Sequence, residues 1–399
     1  MNGALEKLRV LDLTRVLAGP WAGQLLGDYG ADVVKIERPG QGDDTRQWGP
    51  PWLGSESAYY LSANRNKRSV TVDIRTESGQ QLIRDLAGKA DVLLENFKTG
   101  TLARYNLDPQ DLMKQNPGLI LCSISAFGQS GSRAAEPGYD AMIQASGGLM
   151  SITGPPEAEG GGPQKVGVAI ADIMAGMYAT TAVLAALHAR AETGRGQRID
   201  IPLYDSQVAW LANQNMNYLV GGVVPGRMGT AHPNLVPYQA FGTSDGNLML
   251  AIGNDRQFGD CAEIVGMPAL AQDRAYANNA ARVDNRAALI PILQKALARK
   301  PTAFWLEAFA ARAVPAGPIN DIGEVLGNAH ARERCLVRHL ANSAGDEVPT
   351  VANPVSFDET PVRYDRAPPL LGEHTEEVLR EWLGYSAEVI AELRSGAAI

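Results

Sequence analysis

Short apolar runs alternate with amphipathic segments along the first third of this 399-residue chain. Runs bounded by Gly, Asp or Asn predict strands, and apolar residues spaced three or four apart predict helices. The predicted strands are 8–13, 32–37, 69–74, 91–95 and 119–125, and the predicted helices are 20–30, 77–88 and 108–115. This alternation predicts βαβ units and a mostly parallel sheet.

A long segment of small and apolar residues, 166–187, contains a single charged residue, Asp172. Its length is close to that of a membrane-spanning helix. Its Ala and Gly content, the acidic Asp172 and the polar Thr180 and Thr181 argue against that interpretation. The pattern instead predicts a helix over about 172–190, buried inside a soluble protein.

The remaining pattern predicts a second, smaller α/β domain. Residues 221–237 are rich in Gly and Pro and predict a long loop, which we take as a domain boundary. Residues 221–312 then form the small domain, and residues 1–220 with 313–399 form the large one. Beyond the long helix, the predicted elements are strands at 198–202 and 248–252 and helices at 205–220, 256–266, 286–298 and 302–312.

Composition and charge narrow the class of protein. With 45% hydrophobic and 20% charged residues the chain is typical of globular proteins. A net charge of −8 argues against a general nucleic-acid binder, although local basic clusters can still bind an anion. The three cysteines show no metal or disulfide spacing, and the N-terminus lacks a signal peptide, so we expect a cytoplasmic protein without a metal. No Gly-x-Gly-x-x-Gly follows the first strand, which argues against a nicotinamide or flavin cofactor.

Asp172 is the first candidate for chemistry, because an ionised carboxylate in apolar surroundings is unfavourable unless something binds or pairs it. No Lys or Arg lies within one helical turn of it. The small Ala169, Ala171, Ala175 and Gly176 are expected to leave space beside the carboxylate. Two interpretations stay open on this evidence: a reactive group, or a helix cap or satisfied core residue.

Several segments together resemble the family III CoA-transferases, the group that includes formyl-CoA transferase and carnitine CoA-transferase. They occur in the same order as in that family and span nearly the whole chain. No single segment is specific, and the resemblance rests on their occurring together. The segments are Val10-Leu-Asp-Leu-Thr14, Ala18-Gly-Pro20, Gly27-Asp-Tyr-Gly-Ala-Asp-Val-Val-Lys-Ile-Glu-Arg-Pro39, Asn66-Lys-Arg-Ser69, Asp91-Val-Leu-Leu-Glu-Asn-Phe97, Thr193-Gly-Arg-Gly-Gln197, Pro315-Ala-Gly-Pro318 and Leu370-Leu-Gly-Glu-His-Thr375.

The resemblance implies a Rossmann-like large domain built from both chain ends, a smaller α/β domain from the middle, and an interlocked homodimer. It implies an enzyme that uses coenzyme A as a cosubstrate, with an acyl-CoA and a small carboxylic acid as its partners. We expect neither a nucleic acid nor a membrane among the partners. By analogy with members that use dicarboxylates, we expect a donor such as succinyl-CoA and a dicarboxylate acceptor.

The family's nucleophile is an Asp in a Gly-x-x-x-x-Asp segment that follows a Gly-rich loop. Here Gly160-Gly-Gly162 precedes Gly167-Val-Ala-Ile-Ala-Asp172, so the resemblance assigns this role to Asp172. The implied reaction passes through an acyl–aspartyl anhydride and an aspartyl-CoA thioester. Backbone N–H groups of the Gly-rich loop are candidates to stabilise the oxyanion.

The resemblance also places the contacts to CoA. Three of them, Arg38, Arg75 and Arg104, suit phosphate groups, and backbone N–H groups around 96–98 suit the pantetheine amides or a phosphate. The full set is Leu17, Ala18, Arg38, Val72, Asp73, Ile74, Arg75, Asn96, Phe97, Lys98, Arg104, Tyr139 and Asp140.

The acceptor carboxylate needs a cationic or hydrogen-bonding partner. The candidates are Tyr59, Tyr139, Arg46, Arg65 and His232. Formyl-CoA transferase has Gln where this chain has Leu17, and it has four consecutive glycines where this chain has the 226–234 loop. The resemblance therefore does not extend to a lid role for this loop or to a particular substrate.

The nearest alternative function is that of the α-methylacyl-CoA racemases, which belong to the same superfamily. These isomerases need an acid/base pair, and their relatives read Gly-His-Asp-x-Asn-Tyr where this chain reads Gly138-Tyr-Asp-Ala-Met-Ile143. Tyr139 thus replaces the His that would serve as a base near neutral pH, which favours the transferase. A non-catalytic CoA-binding protein is a further alternative, which the intact Asp172 and its Gly-rich approach disfavour.

Overall fold

The computed structural model describes residues 3–399 and divides the chain into two compact units. The second unit consists of Met150–Lys165 and Gly221–Asn328, and the first unit contains the remaining described residues. The segments 150–165 and 313–328 therefore belong to the second unit, whereas the sequence-based boundaries placed them in the large domain. The physical reason is strand pairing and loop bonding: residues 316–318 form an edge strand of the second unit's sheet, and the N–H of Gly229 donates to the carbonyl of Gly154 at 3.0 Å.

The strands are numbered in chain order. They are β1 Arg9–Asp12, β2 Asp32–Glu37, β3 Trp52–Leu53, β4 Glu56–Ser57, β5 Lys67–Thr71, β6 Val92–Glu95, β7 Ile120–Ser125, β8 Arg198–Pro202, β9 Tyr238–Gly242, β10 Asn247–Ala251, β11 Ala316–Pro318, β12 Val337–Ala341 and β13 Glu347–Val351.

The α-helices are numbered in the same way, and single 3₁₀ turns lie at Asp44–Gln47, Glu157–Glu159 and Pro268–Ala271. The α-helices are α1 Ala18–Asp28, α2 Ala58–Leu61, α3 Glu77–Ala87, α4 Thr101–Arg104, α5 Pro109–Gln115, α6 Asp140–Ser146, α7 Leu149–Ile152, α8 Ile170–Thr193, α9 Leu203–Trp210, α10 Asn213–Gly221, α11 Asp255–Ile264, α12 Asn279–Asp284, α13 Arg286–Leu297, α14 Thr302–Ala311, α15 Ile322–Gly327, α16 Ala329–Glu333, α17 Thr375–Leu383 and α18 Ala387–Ser395.

The first unit is built on a six-stranded sheet with the order β5-β2-β1-β6-β7-β8, in which every neighbouring pair is parallel. The predicted α/β class and parallel sheet are thus confirmed. The strand order reverses between β1 and β6, and in open parallel sheets ligands bind outside the carboxyl ends of the strands at such a switch point. The loops that follow β1 and β6 are therefore the expected position of a ligand.

Both faces of this sheet are covered, as the near-continuous apolar strands require. Along β1, Val10 points into one core and Leu11 into the other, because successive strand residues face opposite sides. The Val10 side packs on α1 and α8, and the Leu11 side packs on α3 and α17. The C-terminal residues return to complete the second layer, which places both chain ends in one unit.

Helix α8 is the predicted long apolar helix, and it is long and apolar enough to cross a membrane by length and composition. Its inner face, with Ala171, Ala175, Ala179 and Val183 wholly buried, packs into the core beside α1 and the sheet. Gly176 lies where α8 comes closest to α1: a Cβ built on it would be 2.6 Å from the carbonyl oxygen of Ala18. The small residues of this helix therefore serve close helix packing.

The second unit contains an antiparallel sheet of order β11-β10-β9. Leu248 and Leu250 of the central strand are buried among α11, α13 and α14, with Phe258, Leu293 and Phe309 at the centre of this core. The unit therefore has a hydrophobic core of its own.

Candidate active site

Asp172 is the third residue of α8 and opens onto a cavity of about 270 Å³ at the carboxyl edge of the parallel sheet. We call this space the Asp172 cavity. It is lined by Arg15, Val16, Leu17, Ala18, Asp44, Asn96, Phe97, Lys98, Thr99, Ile124, Ser125, Ala126, Ala134, Glu136, Pro137, Gly138, Tyr139, Asp172 and Leu203. Its walls come from the segments after β1, β6, β7 and β8, as the strand order predicts.

A second cavity of about 340 Å³, the Arg38 cavity, lies beside it and shares Arg15 and Phe97 with it. It is lined by Leu13, Arg15, Ile36, Glu37, Arg38, Gly42, Asp43, Val72, Asp73, Ile74, Arg75, Phe97, Thr101 and Tyr105. Apolar and aromatic walls with several cations at the rim suit a ligand that carries both a flat ring system and phosphates.

Most of the predicted CoA contacts lie in these two cavities. Those in the Asp172 cavity are Leu17, Ala18, Asn96, Phe97, Lys98 and Tyr139, and those in the Arg38 cavity are Arg38, Val72, Asp73, Ile74, Arg75 and Phe97. Arg104 and Asp140 line neither of these two cavities. Arg104 is exposed on α4 and donates to Thr101 Oγ1 at 3.2 Å, whereas Asp140 is buried beneath Asp172 and acts on it from inside the protein.

Asp140 is held rigidly next to the start of α8. Its Oδ1 accepts the N–H of Ala171 at 2.8 Å, and its Oδ2 accepts Nε2 of Gln144 at 2.7 Å. Gln144 in turn accepts the N–H of Val166 at 2.8 Å, which ties the approach to α8 to the same group. The result is a fixed negative charge close to the Asp172 carboxylate.

Burial of Asp172 raises its pKa to about 7, and the charge of Asp140 adds to that effect. Asp172 is only 9% exposed, and its carboxylate accepts no hydrogen bond from the residues that the structure describes. The start of a helix favours a negative charge, but here burial and a second carboxylate outweigh it. A carboxylate so weakly stabilised is more basic and more nucleophilic than a solvated one.

The space at Asp172 does not arise from its small neighbours, contrary to the sequence-based expectation. Ala171 and Ala175 are wholly buried in the core, and Gly176 is closed off by α1. The open side of Asp172 faces the loop after β1 and the segment around Tyr139. The reactive interpretation thus rests on the cavity, while the small residues are structural.

Asn96 lines the Asp172 cavity, and its side chain is also engaged within the protein. Its side chain bonds the backbone of Arg15, with Oδ1 accepting the N–H at 2.9 Å and Nδ2 donating to the carbonyl at 2.7 Å. The N–H of Phe97 donates to Oε2 of Glu95 at 2.9 Å, so that backbone group is satisfied within the protein. This segment therefore shapes the cavity by holding the loop after β1.

The cations near the Arg38 cavity are not equally available to a ligand. Arg75 forms a two-point ion pair with Asp73, in which Nη2 lies 2.7 Å from Oδ2 and Nε lies 2.9 Å from Oδ1. Arg38 is exposed and donates to Gln41 Oε1 at 2.6 Å. Its charge has no carboxylate partner at ion-pair distance among the described residues, so Arg38 is better placed than Arg75 to meet a phosphate.

Two of the candidate acceptor ligands are structural. Arg46 is buried between Glu37 and Glu56, at 2.7 and 2.8 Å, and Arg65 is buried against Asp28 at 2.6 Å. Neither residue lines one of the two cavities. Both cations instead neutralise buried carboxylates, whose charge would otherwise be unpaired in the core. The sequence could not show this, since each pairing depends on how the intervening segments fold.

Tyr59 lies near the reacting carboxylate. Burial raises its pKa to about 12, and the charges of Asp172, Asp140 and Asp43 add to the shift. Its hydroxyl therefore stays protonated and can donate a hydrogen bond. Its ring meets Trp48 edge to face, with the ring centroids 5.1 Å apart.

His232 belongs to the second unit, where it organises the loop after residue 226. Its Nδ1 accepts the N–H groups of Asn234 and Leu235 at 3.0 and 3.1 Å. Burial lowers its pKa, with a further contribution from Arg286, so the ring is neutral near pH 7. These contacts give His232 a structural task within its own unit.

Two of the three glycine N–H groups expected as oxyanion donors are engaged within the second unit. The N–H groups of Gly160 and Gly161 donate to the carbonyls of Glu157 and Pro156, at 2.9 and 3.1 Å, within the second unit. The N-terminus of α1 instead lines the Asp172 cavity with Leu17 and Ala18, and no side chain caps it. The N–H groups of Ala18 and Gly19 have no partner among the described residues and are suited to a developing negative charge, whereas Pro20 has no N–H and that of Trp21 donates to Leu17.

Residues that the sequence did not single out also line the site. Arg15 follows the matched segment that ends at Thr14 and lines both cavities, and its guanidinium lies 3.2 Å from Asp44. Its position directly after an apolar strand was the available signal. Asp43 was not foreseeable in this way, because its part depends on contacts to β2 and to the loop after β1.

The sequence matches the CoA-transferase family III over residues 5–375. It is 47% identical over 383 residues to a succinate–glutarate CoA-transferase of Agrobacterium fabrum, with 94% of this chain and 95% of that protein covered. It is 42% identical over 395 residues to the succinyl-CoA:glutarate CoA-transferase of Homo sapiens, with 99% and 90% covered. The fold matches that of a CAIB/BAIF family protein from Brucella suis, with a TM-score of 0.84, 45% identity and coverage of 96% of this chain and all of that one.

Proposed function

This chain belongs to CoA-transferase family III, and we propose that it moves CoA from succinyl-CoA to a dicarboxylate such as glutarate, with Asp172 as the nucleophile. The observation that carries the proposal is the buried Asp172 at the end of a cavity lined by the residues expected to bind CoA. The substrates are those that the names of the similar proteins from Agrobacterium fabrum and Homo sapiens give.

The two adjoining cavities support an extended CoA. Its adenine and phosphates would occupy the Arg38 cavity, between apolar walls and the unpaired charge of Arg38. The pantetheine arm would pass Arg15 and Phe97 and bring the thioester to Asp172. Lys98, which is exposed at the rim of the Asp172 cavity, adds a cation along this path.

The first half of the reaction loads CoA onto the enzyme. An oxygen of the Asp172 carboxylate attacks the carbonyl carbon of succinyl-CoA, the C–S bond breaks, and CoA leaves as a thiolate. The succinyl–aspartyl anhydride so formed is attacked by that thiolate at Cγ of Asp172. Succinate leaves as a carboxylate, and an aspartyl-CoA thioester remains.

The second half mirrors the first. The acceptor carboxylate attacks Cγ of Asp172, the thiolate leaves again, and an acceptor–aspartyl anhydride forms. The thiolate then attacks the carbonyl carbon of the acceptor, which yields acceptor-CoA and restores the Asp172 carboxylate. No net proton, hydride or electron is exchanged, so the reaction requires no metal, nicotinamide or flavin.

Oxyanions form at each attack and need donors that are fixed in advance. The uncapped N-terminus of α1, with Leu17 and Ala18 on the wall of the Asp172 cavity, is the best-placed group of donors in the first unit. The protonated hydroxyl of Tyr59 supports a second interaction, with the free carboxylate of the acceptor. Leu17, which replaces the Gln of formyl-CoA transferase, leaves that wall apolar.

The racemase alternative is not favoured. The named relatives are CoA-transferases, and the residues that line the Asp172 cavity include no His. Tyr139 stands in the segment where a racemase would have its base and is 66% exposed.

The proposal includes a homodimer in the cytoplasm. The outer face of α8 exposes Met177, Tyr178 and Leu184, and α10 exposes Leu219 and Val220 at 71% and 80%. Exposed apolar side chains on these two helices support a surface that another chain covers. If the chains interlock, dilution will not yield a folded monomer, which size-exclusion chromatography with light scattering tests.

The direct test is an exchange assay. The protein is incubated with succinyl-CoA and a panel of mono- and dicarboxylates, and the acyl-CoA products are identified by mass spectrometry. We expect glutaryl-CoA from glutarate and none from the Asp172→Asn variant. Exchange that survives in this variant would contradict the role of Asp172, whereas a preference for monocarboxylates would contradict the proposed acceptor class.

A further inference from the structure

Val16 has a backbone conformation that its residue type disfavours. Its φ is 72°, in the left-handed region, where a β-branched side chain crowds the backbone. It lies in the loop between β1 and α1 and lines the Asp172 cavity beside Leu17 and Ala18. Such strain persists only where the surrounding structure enforces it.

The enforcing contact comes from Asp43. Its Oδ1 and Oδ2 lie 3.2 and 3.3 Å from the backbone nitrogen of Val16, which donates to them. Lys35 fixes Asp43 in turn, with Nζ 2.8 Å from Oδ2, and the same ammonium donates to the carbonyl of Thr14 at 2.9 Å. Both side chains are wholly buried. One ion pair therefore holds the loop after β1 at two positions, the carbonyl of Thr14 and the N–H of Val16.

A local role for Asp43 does not account for this arrangement. Asp43 also caps the 3₁₀ turn at Asp44–Gln47, where its Oδ1 accepts the N–H and the hydroxyl of Thr45. That cap uses one oxygen and needs no cation. Among the described residues, Oδ2 contacts Lys35 and Val16. A buried ion pair adds little to stability by itself, because removing two charges from water is unfavourable.

We propose that Asp43, fixed by Lys35, is a positioning residue that holds Val16 in its left-handed conformation and so shapes the acyl-CoA site at the start of α1. This inference rests on the proposed function, because it assumes that acyl-CoA occupies the Asp172 cavity. Asp43 also lies in the wall of the Arg38 cavity, with its side chain wholly buried, and its proposed effect on the thioester end of the site runs through Val16 and Thr14. Loss of Asp43 should therefore reduce CoA binding and exchange more than the loss of a buried ion pair elsewhere in the first unit does.

The test is a double-mutant cycle between positions 43 and 16. Asp43→Asn removes the charge and lets Val16 leave the strained region, so kcat/KM for succinyl-CoA should fall by about tenfold or more. Glycine adopts a positive φ without strain, so Asp43→Asn should cause a loss at least about threefold smaller when Val16→Gly is also present. Equilibrium binding of CoA, measured by calorimetry, should follow the same pattern.

Asp28→Asn is the matched control, because Asp28 and Arg65 form a buried ion pair of the first unit outside both cavities. It should lower the melting temperature and leave kcat/KM and the affinity for CoA unchanged. Additive losses at positions 43 and 16, or an Asp43→Asn variant that behaves like this control, would overturn the inference. If the unsubstituted protein binds CoA but shows no exchange, the proposed reaction is contradicted, and the double-mutant cycle is then decided by CoA binding. If it does not bind CoA, both the proposed function and this inference are contradicted.

Discussion

The side-chain amide of Asn96 bonds the backbone of Arg15 in both directions, accepting its N–H at 2.9 Å and donating to its carbonyl at 2.7 Å. This pair bridges the loops that follow β1 and β6, at the point where the strand order of the sheet reverses. An amide is suited to this task because it carries a donor and an acceptor side by side. The contact fixes the residue that lines both cavities, so it links the sheet topology to the site.

Replacement of Asn96 by Ala should weaken CoA binding without unfolding the protein. Two hydrogen bonds are lost, for a decrease of about 1–3 kcal/mol in the free energy of unfolding. We expect the KM for succinyl-CoA to rise about tenfold, as Arg15 loses its fixed position. The comparison is with Asn116→Ala, away from both cavities. It removes three hydrogen bonds: two to the carbonyls of Ala87 and Ala90, at 3.1 and 2.8 Å, and one from the N–H of Gly118, at 3.2 Å. A similar KM in both variants would contradict this part of the account.

Asp172→Asn should abolish exchange and stabilise the fold above neutral pH. The folded protein holds a proton on Asp172 up to a pKa of about 7, compared with the ordinary 3.8. The folded state therefore binds more protons between these values, and the free energy of unfolding falls as the pH rises through them, by on the order of 4 kcal/mol. Asn carries no charge, so the variant should melt at a higher temperature at pH 8 and gain little at pH 4. A lower melting temperature at pH 8 would show that the carboxylate is stabilised in the fold.

The same shift predicts the pH profile of exchange. Asp172 must be ionised to attack a thioester, so kcat/KM should fall as the pH drops through about 7. Asp140 raises this pKa in addition to burial, so Asp140→Asn should retain activity to a lower pH. A pH–rate profile for both proteins checks this, and an unchanged midpoint in the variant would contradict the effect assigned to Asp140.

Gly176→Ala should disturb the site through helix packing. The new Cβ would lie 2.6 Å from the carbonyl oxygen of Ala18, so α1 or α8 must shift. We expect a loss of about 1–3 kcal/mol in the free energy of unfolding and a lower kcat, since Ala18 lines the Asp172 cavity. Gly259→Ala, in the interior of α11 with open space around it, should instead stabilise the protein by about 0.5–1 kcal/mol. Equal changes in thermal melting would refute the packing argument.

The parallel sheet was predictable because its central strands are continuous apolar runs. The strand predicted at 32–37 has the observed bounds, and the one at 198–202 does as well. The strand predicted at 69–74 lies at Lys67–Thr71 instead, because Lys67 and Arg68 are buried. Their charges meet Asp12 and Asp32, at 3.0 and 2.5 Å, which are distant in sequence. A single sequence gives no sign of such pairs.

The candidate site was predictable where it rests on one residue or one strand end. Asp172 stands out as a lone charge, and the segments after β1 and β6 stand out as strand ends. The structural roles of Asn96, Arg46 and Asp43 were not predictable. Each depends on a contact, with a backbone group or a charged side chain, that forms only in the folded protein. Strands β9, β12 and β13 were also missed, since each mixes polar and apolar residues and none is a continuous apolar run.

The central claim is that CoA becomes attached to Asp172 during exchange. The most direct measurement incubates the protein with succinyl-CoA alone, treats it with hydroxylamine, and maps the modified residue by peptide mass spectrometry. The account predicts a hydroxamate on Asp172 after incubation with succinyl-CoA, and none in a control sample from which succinyl-CoA is omitted. A hydroxamate on another carboxylate, or none while glutaryl-CoA still forms from succinyl-CoA and glutarate, would contradict it.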